Sequence, residues 1–261
     1  MGVEIHPAAY VSDGANLGEN VSIGPGCVIG NNVVLGDRVK LLAHVSIDGH
    51  TQIGVDSLIY PFAALGYPPQ DLKYKGEDTK LFIGANTTIR EHVTMHLGTV
   101  TSRGETRVGD NGYFMVGSHV GHDCIVGDNV VFANNATLGG SVVVGEHVIM
   151  GGLSAVHQFC RVGRHAFIGG GAPVTGDVIP YGMVDNHGDL AGLNLVGLKR
   201  RGFDREAIHD MRTAYRLFFA SEGTFQERVD DAAGLYKDHV LVSEMVEFLR
   251  AGNNRPLCLP N

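Results

Sequence analysis

With 261 residues, the chain has room for one large domain or a domain with an appendage. It is 44% hydrophobic and 18% charged, with 37 glycines and no tryptophan, and its net charge of −8 argues against nucleic acid as a partner. No stretch approaches the roughly 18 apolar residues of a membrane span, so no integral membrane segment is expected.

The first residues, "MGVEIHPAAYVSDG", lack a basic region followed by an apolar run. No signal peptide is therefore expected, and the predicted location is cytoplasmic. From Ile5 onward an aliphatic residue recurs every sixth position: Val11, Leu17, Ile23, Ile29, Leu35, Leu41, Ile47, Ile53, Ile59 and Leu65. The pattern returns at Ile83, Ile89 and Met95, and again from Val108 through Val120, Val126, Leu138, Val156 and Ile168 to Val174. The second slot is often glycine, and the fifth is small or β-branched, as at Val21, Cys27, Cys124, Ala136 and Cys160. A period of six fits neither a helix nor a hairpin sheet; it fits short strands joined by tight corners and wound as a solenoid. Three sides close a coil of 18 residues, with coils stacked about 4.8 Å apart. Slots two to four form the corner, where glycine is expected to supply positive φ and Asn or Asp to suit the turn. The four cysteines, Cys27, Cys124, Cys160 and Cys258, show no metal or redox spacing, and Cys27, Cys124 and Cys160 are expected to be small core residues.

Two segments leave the period: residues 66–82 and residues 97–107, the second shifting the phase by one. Loops that leave a rigid scaffold are where sites are usually built. Beyond about residue 190 the apolar spacing turns helical. One helix is expected in 203–223, with Asp204 as N-cap. A second opens on Thr224 and Glu227 at capping-box spacing, and a third, short one covers 243–251. These would cover the open end of the solenoid. The expected organisation is a β-solenoid over 1–190 and a C-terminal helical domain over 191–261.

Histidines at corners, such as His44, His50, His147 and His165, are expected to be mostly solvated. His122 and Asp123, within "GSHVGHDCIVG", stand apart. Eighteen residues on lies Gly140, and eighteen further lies Gln158. Gly140 leaves space beside the imidazole and an amide unobstructed by a side chain. Asp123 can accept from one ring nitrogen and leave the other as a base. A base, an orienting carboxylate and an amide donor are parts of an acyl-transfer site.

At "DGH" (48–50), "QDLKY" (70–74), "HVGHDC" (119–124), "ANNATL" (133–138), "AVHQFC" (155–160) and "GLKRRGF" (197–203) the chain resembles the UDP-N-acetylglucosamine O-acyltransferases of lipid A biosynthesis, a hexapeptide-repeat family. The resemblance implies a mainly β fold, a left-handed parallel β-helix with a C-terminal α-helical domain, assembled as a homotrimer with sites between subunits. It implies transfer of an (R)-3-hydroxyacyl group from acyl carrier protein to position 3 of UDP-N-acetylglucosamine. It implies no bound cofactor and no metal, with the donor riding on the carrier's phosphopantetheine. By the same resemblance His122 is the general base, Asp123 its partner and Gly140 the oxyanion donor. Lys73 and His119 bind the nucleotide sugar, with Gln70, His157 and Gln158 nearby. Asn194 and Arg201 lie around the uridine diphosphate. Lys199 and Arg200 meet the acidic carrier protein. Gly170 measures the acyl chain, with His187 as a further stop; a glycine there implies a long donor, about C14 rather than about C10, since each buried CH2 is favourable until it clashes.

Ser141 stands where the family usually has histidine, which leaves open a 3-amino sugar as acceptor. Two readings from other classes also stand at this point. One is a metal-dependent hydratase like the γ-class carbonic anhydrases, with His119 and His122 as ligands. The other is a non-catalytic scaffold, which has no use for the two excursions.

Overall fold

The computed structural model describes residues 2–252 and 255–261. Among the described residues, three sheets of eleven, nine and eight strands make the sides of a triangular parallel coil. Partners on successive coils are 18 residues apart, as in Ile23 against Leu41 and Val131 against Ile149. The spacing widens at the two excursions, where Leu58 pairs with Thr88 and Thr88 with Tyr113. The slot-one aliphatics fill the bore: Ile29, Ile47, Ile59, Val120, Leu138 and Ile168 are all fully buried. Slot five fills the remaining space with Val21, Cys27, Cys124, Ala136 and Cys160, also fully buried. Each large aliphatic so buried contributes about 1.5–3 kcal/mol.

The corners are built differently from the expectation. Positive φ falls in slot four, and largely on residues other than glycine: Asn20 (57°), Arg38 (58°), Asp123 (60°), Ser141 (61°) and Phe159 (68°). The stacking holds them there. Most slot-four amides donate to the slot-three carbonyl one coil back, as in Arg38 N to Glu19 O and His147 N to Asp128 O, both 2.8 Å. The slot-two glycines serve close approach instead. A Cβ on Gly127 would stand 2.6 Å from Glu146 N, and one on Gly145 would stand 2.5 Å from Arg164 N.

The departures from the coil are shorter than the period predicts, because the flanking sides lengthen. Strand Ala64–Tyr67 runs into the first and Lys80–Ile83 leaves it, so the excursion is 68–79. Strands Thr94–His96 and Glu105–Val108 bound the second at 97–104. At the far end, Gly182–Val184 pairs antiparallel with Leu190–Leu193.

Four helices follow among the described residues. Helix α1, Leu195–Arg200, was not expected; six residues with a glycine inside carry little periodicity. Helix α2, Arg205–Phe218, is capped by Asp204, and α3, Phe225–Leu235, by the Thr224–Glu227 box. Helix α4, Val240–Ala251, starts earlier than 243 because the His239 side chain caps it. The last coil is covered by α4 together with the C-terminal tail. Asp177 N donates to Pro256 O, Cys258 N to Asp177 O and Leu190 N to Leu259 O, while Arg161 lies 4.2 Å over the Phe248 ring. No described helix is long and apolar enough to cross a membrane.

Candidate active site

His122 and Asp123 occupy the corner between strands His119–Val120 and Ile125–Val126. The predicted stack is present: Ser141 N donates to His122 O at 2.8 Å, and Phe159 N to Gly140 O at 3.0 Å. His122 Nδ1 lies 2.8 Å from Asp123 Oδ2. Asp123 is 0% exposed, and the His122 side chain is 22% exposed. Burial alone would raise the Asp123 pKa; hydrogen bonds from His122 and from the Thr99 hydroxyl and amide outweigh it and hold the carboxyl below its usual range. An ionised carboxylate only accepts, so Nδ1 carries the proton and Nε2 is the free base. A Cβ on Gly140 would lie 2.5 Å from His122 Nε2 and Cε1, so only glycine leaves the ring where it is. Cys124 faces inward; burial pushes its thiol up to about 12, far from a nucleophile.

His119 projects from the strand that leads into this corner, its Nδ1 2.7 Å from Thr94 Oγ1. Burial, then the neighbouring His122, lowers its pKa. Ser141 is buried and shares a hydrogen bond with Ser102 of the second excursion at 3.0 Å. His157 and Gln158 follow one coil on, both exposed, with Arg255 Nε donating to Gln158 O at 3.0 Å. Gln70 and Lys73 sit exposed on the first excursion, whose Asp71, Lys73 and Tyr74 line a small cleft with Thr99, Val100 and Thr101 of the second.

The remaining expected residues lie at other corners of the same chain. Asn194 caps α1: its Oδ1 accepts from Gly197 N and its Nδ2 donates to His165 O, both at 3.0 Å, so both ends of its buried carboxamide are engaged. Arg201 donates to His147 O at 3.0 Å, and burial lowers its pKa. Both belong to the corner of His147 and His165. Contrary to the expectation of solvated corners, His165 is 6% exposed, its ring stacked between His147 (4.7 Å) and Tyr181 (5.6 Å). Burial, then His147 and Arg201, push its pKa down to about 4. Gly170 lies on the third corner with open space around it, the nearest atom to an added Cβ being Gly152 O at 3.4 Å. Asp185 accepts from the amide of His187 in the adjacent hairpin. Lys199 lines a cleft of about 560 Å³ with Phe203, Arg205, Ile208, His209 and Arg212, and Arg200 is exposed beside it. Among the described residues, the three-residue group with metal-ligand spacing is Glu146, His147 and His165, which includes neither His119 nor His122.

The chain is similar to known proteins along most of its length. A family model described as UDP-N-acetylglucosamine O-acyltransferase, domain 2, matches residues 177–258, and bacterial hexapeptide transferase repeats match 2–37 and 105–140. A Rickettsia canadensis acyl-(acyl-carrier-protein)–UDP-N-acetylglucosamine O-acyltransferase is 51% identical over 97% of both chains. The Caulobacter vibrioides protein of the same name is 59% identical over 82% of each. The chain belongs to the UDP-N-acetylglucosamine O-acyltransferase family. The crystal structure of the Francisella novicida UDP-N-acetylglucosamine acyltransferase superposes with a TM-score of 0.94 at 36% identity, covering 98% of this chain and 94% of that one. The fold shared within the family is the left-handed parallel β-helix with a C-terminal helical domain.

Two features of the corner escaped the sequence. His96, 7% exposed, sits edge-on to His119 at 4.9 Å, and burial with His119 and His122 nearby pushes its pKa down to about 4. The second excursion wraps Asp123 with Thr99, Arg103 and Gly104. The only signal for either was adjacency to a break in the period.

Proposed function

We propose that the His122 corner transfers an (R)-3-hydroxyacyl group from the phosphopantetheine thioester of acyl carrier protein to the 3-hydroxyl of UDP-N-acetylglucosamine, the first step of lipid A biosynthesis, in the cytoplasm. His122 Nε2 takes the hydroxyl proton as the oxygen attacks the thioester carbonyl. The Gly140 N–H donates to the tetrahedral oxyanion. The C–S bond then breaks, and the imidazolium returns its proton to the departing thiolate. The products are the acylated UDP-sugar and the free carrier thiol, with no acyl-enzyme and no metal in the sequence of steps. The observation that carries this reading is the His122 Nδ1 to Asp123 Oδ2 hydrogen bond, on a ring whose other nitrogen faces Gly140.

Lys73, Gln70, His119, Ser141, His157 and Gln158 are the candidates for holding the nucleotide sugar. Arg201 is the candidate for the diphosphate, with Asn194 holding α1, which Arg201 terminates. These two groups sit at different corners of one chain, as do His122 and Gly170. A site between subunits of a homotrimer joins them. Leu72 and Val100, both exposed at the tips of the excursions, fit such a contact. The carrier protein is acidic, and the Lys199, Arg200, Arg205 and Arg212 surface suits it. The names of the relatives favour the hydroxyl acceptor over the amine. An assay with carrier-protein donors and equal concentrations of the 3-hydroxyl and 3-amino UDP-sugars tests the reading. Preferred acylation of UDP-N-acetylglucosamine is expected, and transfer to neither sugar would refute it.

A further inference from the structure

Asp123 has more donors than orienting one imidazole requires. Oδ1 accepts three main-chain amides, from Thr99 (2.9 Å), Arg103 (3.0 Å) and Gly104 (3.1 Å). Oδ2 is shared by His122 Nδ1 at 2.8 Å and the Thr99 hydroxyl at 2.6 Å. The main chain of Asp123 is held as well: its N–H donates to Thr106 Oγ1 at 2.8 Å, and its carbonyl accepts from Arg103 Nη1. Apart from His122, all these partners come from the second excursion and the strand that ends it.

We propose that Thr99 is a positioning residue that sets the proton affinity of His122 through Asp123. Two donors on one oxygen compete, and the hydroxyl is the shorter of the two. It draws charge from Oδ2, so the carboxylate fixes the tautomer without stabilising the imidazolium too strongly. Thr101 Oγ1, 3.2 Å from Thr99 Oγ1, is placed to donate to it, leaving the Thr99 proton for Asp123. With the hydroxyl removed, Oδ2 serves the imidazole alone and the imidazolium is held more tightly. More of the enzyme is then protonated, and inactive, at a given pH. This rests on His122 being the base. The charged or titratable groups facing His122 are Asp123, Arg103 on the excursion, and His119 and His96 on the neighbouring strands. Substituting Thr99 removes none of them.

The test is kcat/KM against pH, with acyl carrier protein donor and UDP-N-acetylglucosamine, for the wild type, Thr99→Val, Thr99→Ser and His122→Ala. This profile reports the free enzyme's base. For Thr99→Val the acid limb is expected to move up by about half to one unit. Activity below the limb then falls roughly three- to tenfold, while the alkaline plateau approaches wild type. Thr99→Ser should superimpose on the wild type. An unmoved limb in Thr99→Val, whatever happens to its plateau, overturns the proposal, as does a serine variant that behaves like valine. If the valine variant does not fold by thermal melting, Thr99→Ala makes the same deletion and its limb is judged by the same criterion. An active His122→Ala enzyme would instead sink the parent reading. An inactive one beside an unmoved Thr99→Val limb would sink only the role of Thr99.

Discussion

The histidines at two corners of this solenoid, His122 and His165, differ in what lies against the ring. At His122 the ring meets a saturated carboxylate on one side and a glycine on the other. At His165 it is stacked between His147 and Tyr181, with Phe203 edge-on, and its buried Nδ1 has no partner among the described residues. The repeat supplies a corner at both, but His122 stands in slot three and His165 in slot four, on left-handed backbone (57°). The rest of the difference comes from the residue one coil on, Gly140 in one case and Tyr181 in the other, and from the segment packed against the corner. One arrangement keeps a free basic nitrogen at a half-open surface; the other makes the imidazole an uncharged packing element.

The largest effect that sharpens this contrast is expected for His122→Ala. Loss of a general base costs about 10²–10⁴ in turnover. UDP-sugar binding, followed calorimetrically, should stay near wild type, and turnover within a few-fold of wild type would erase the distinction between the corners. Gly140→Ala comes next. Its φ suits alanine, but the new methyl would displace the imidazole, and a misplaced base costs about 10²-fold in kcat. Steady-state kinetics of the folded variant checks this, and an unaffected kcat would show that the ring has room to move.

At the stacked corner the expected effect is on stability. An imidazole with a folded pKa near 4 and an unfolded pKa near 6.5 contributes fully above pH 6.5. As pH falls from 6.5 towards 4 the unfolded chain takes up a proton that the folded one refuses, so stability drops, by about 3 kcal/mol at most. His165→Phe keeps the stack, and Phe62 and Phe159 already hold the same left-handed backbone. It should flatten the fall of Tm over that window, and an unchanged slope would assign it to His96 and other groups. The smallest effect concerns the third corner. Gly170→Met should shorten the preferred acyl chain by roughly two to four methylenes, since each buried CH2 is worth about 0.8 kcal/mol until it clashes. Competition among donors of graded length measures this; a folded variant with the wild-type optimum would make Gly170 an ordinary corner glycine.

The coil and the core were legible because a strict period of six admits few folds, and His122, Asp123 and Gly140 were legible because 18-residue arithmetic is exact once the coil is known. The physics of the corners was less so. Slot-two glycines look like positive-φ residues until the next coil's backbone is seen too close for a Cβ, at 1.7 Å for Gly24, 2.3 Å for Gly163 and 2.6 Å for Gly127. Thr99, Arg103 and His96 lie in or beside the second excursion, where the period stops and spacing no longer gives position. The burial of His165 depends on Tyr181, one coil on across a Pro180 step that breaks the repeat, and on Phe203 from the segment after α1.

The central claim, that the carboxylate of Asp123 makes Nε2 of His122 the base, is tested most directly by Asp123→Asn. Three main-chain amides at Oδ1 would keep the amide oxygen there and place its NH2 against His122 Nδ1. The imidazole would then accept at Nδ1 and carry its proton on Nε2, the wrong tautomer for a base facing the acceptor. The account predicts a folded protein with turnover reduced by about 10²-fold or more, the direction of the corresponding substitution in serine protease triads. A folded Asp123→Asn enzyme with turnover close to wild type would contradict it.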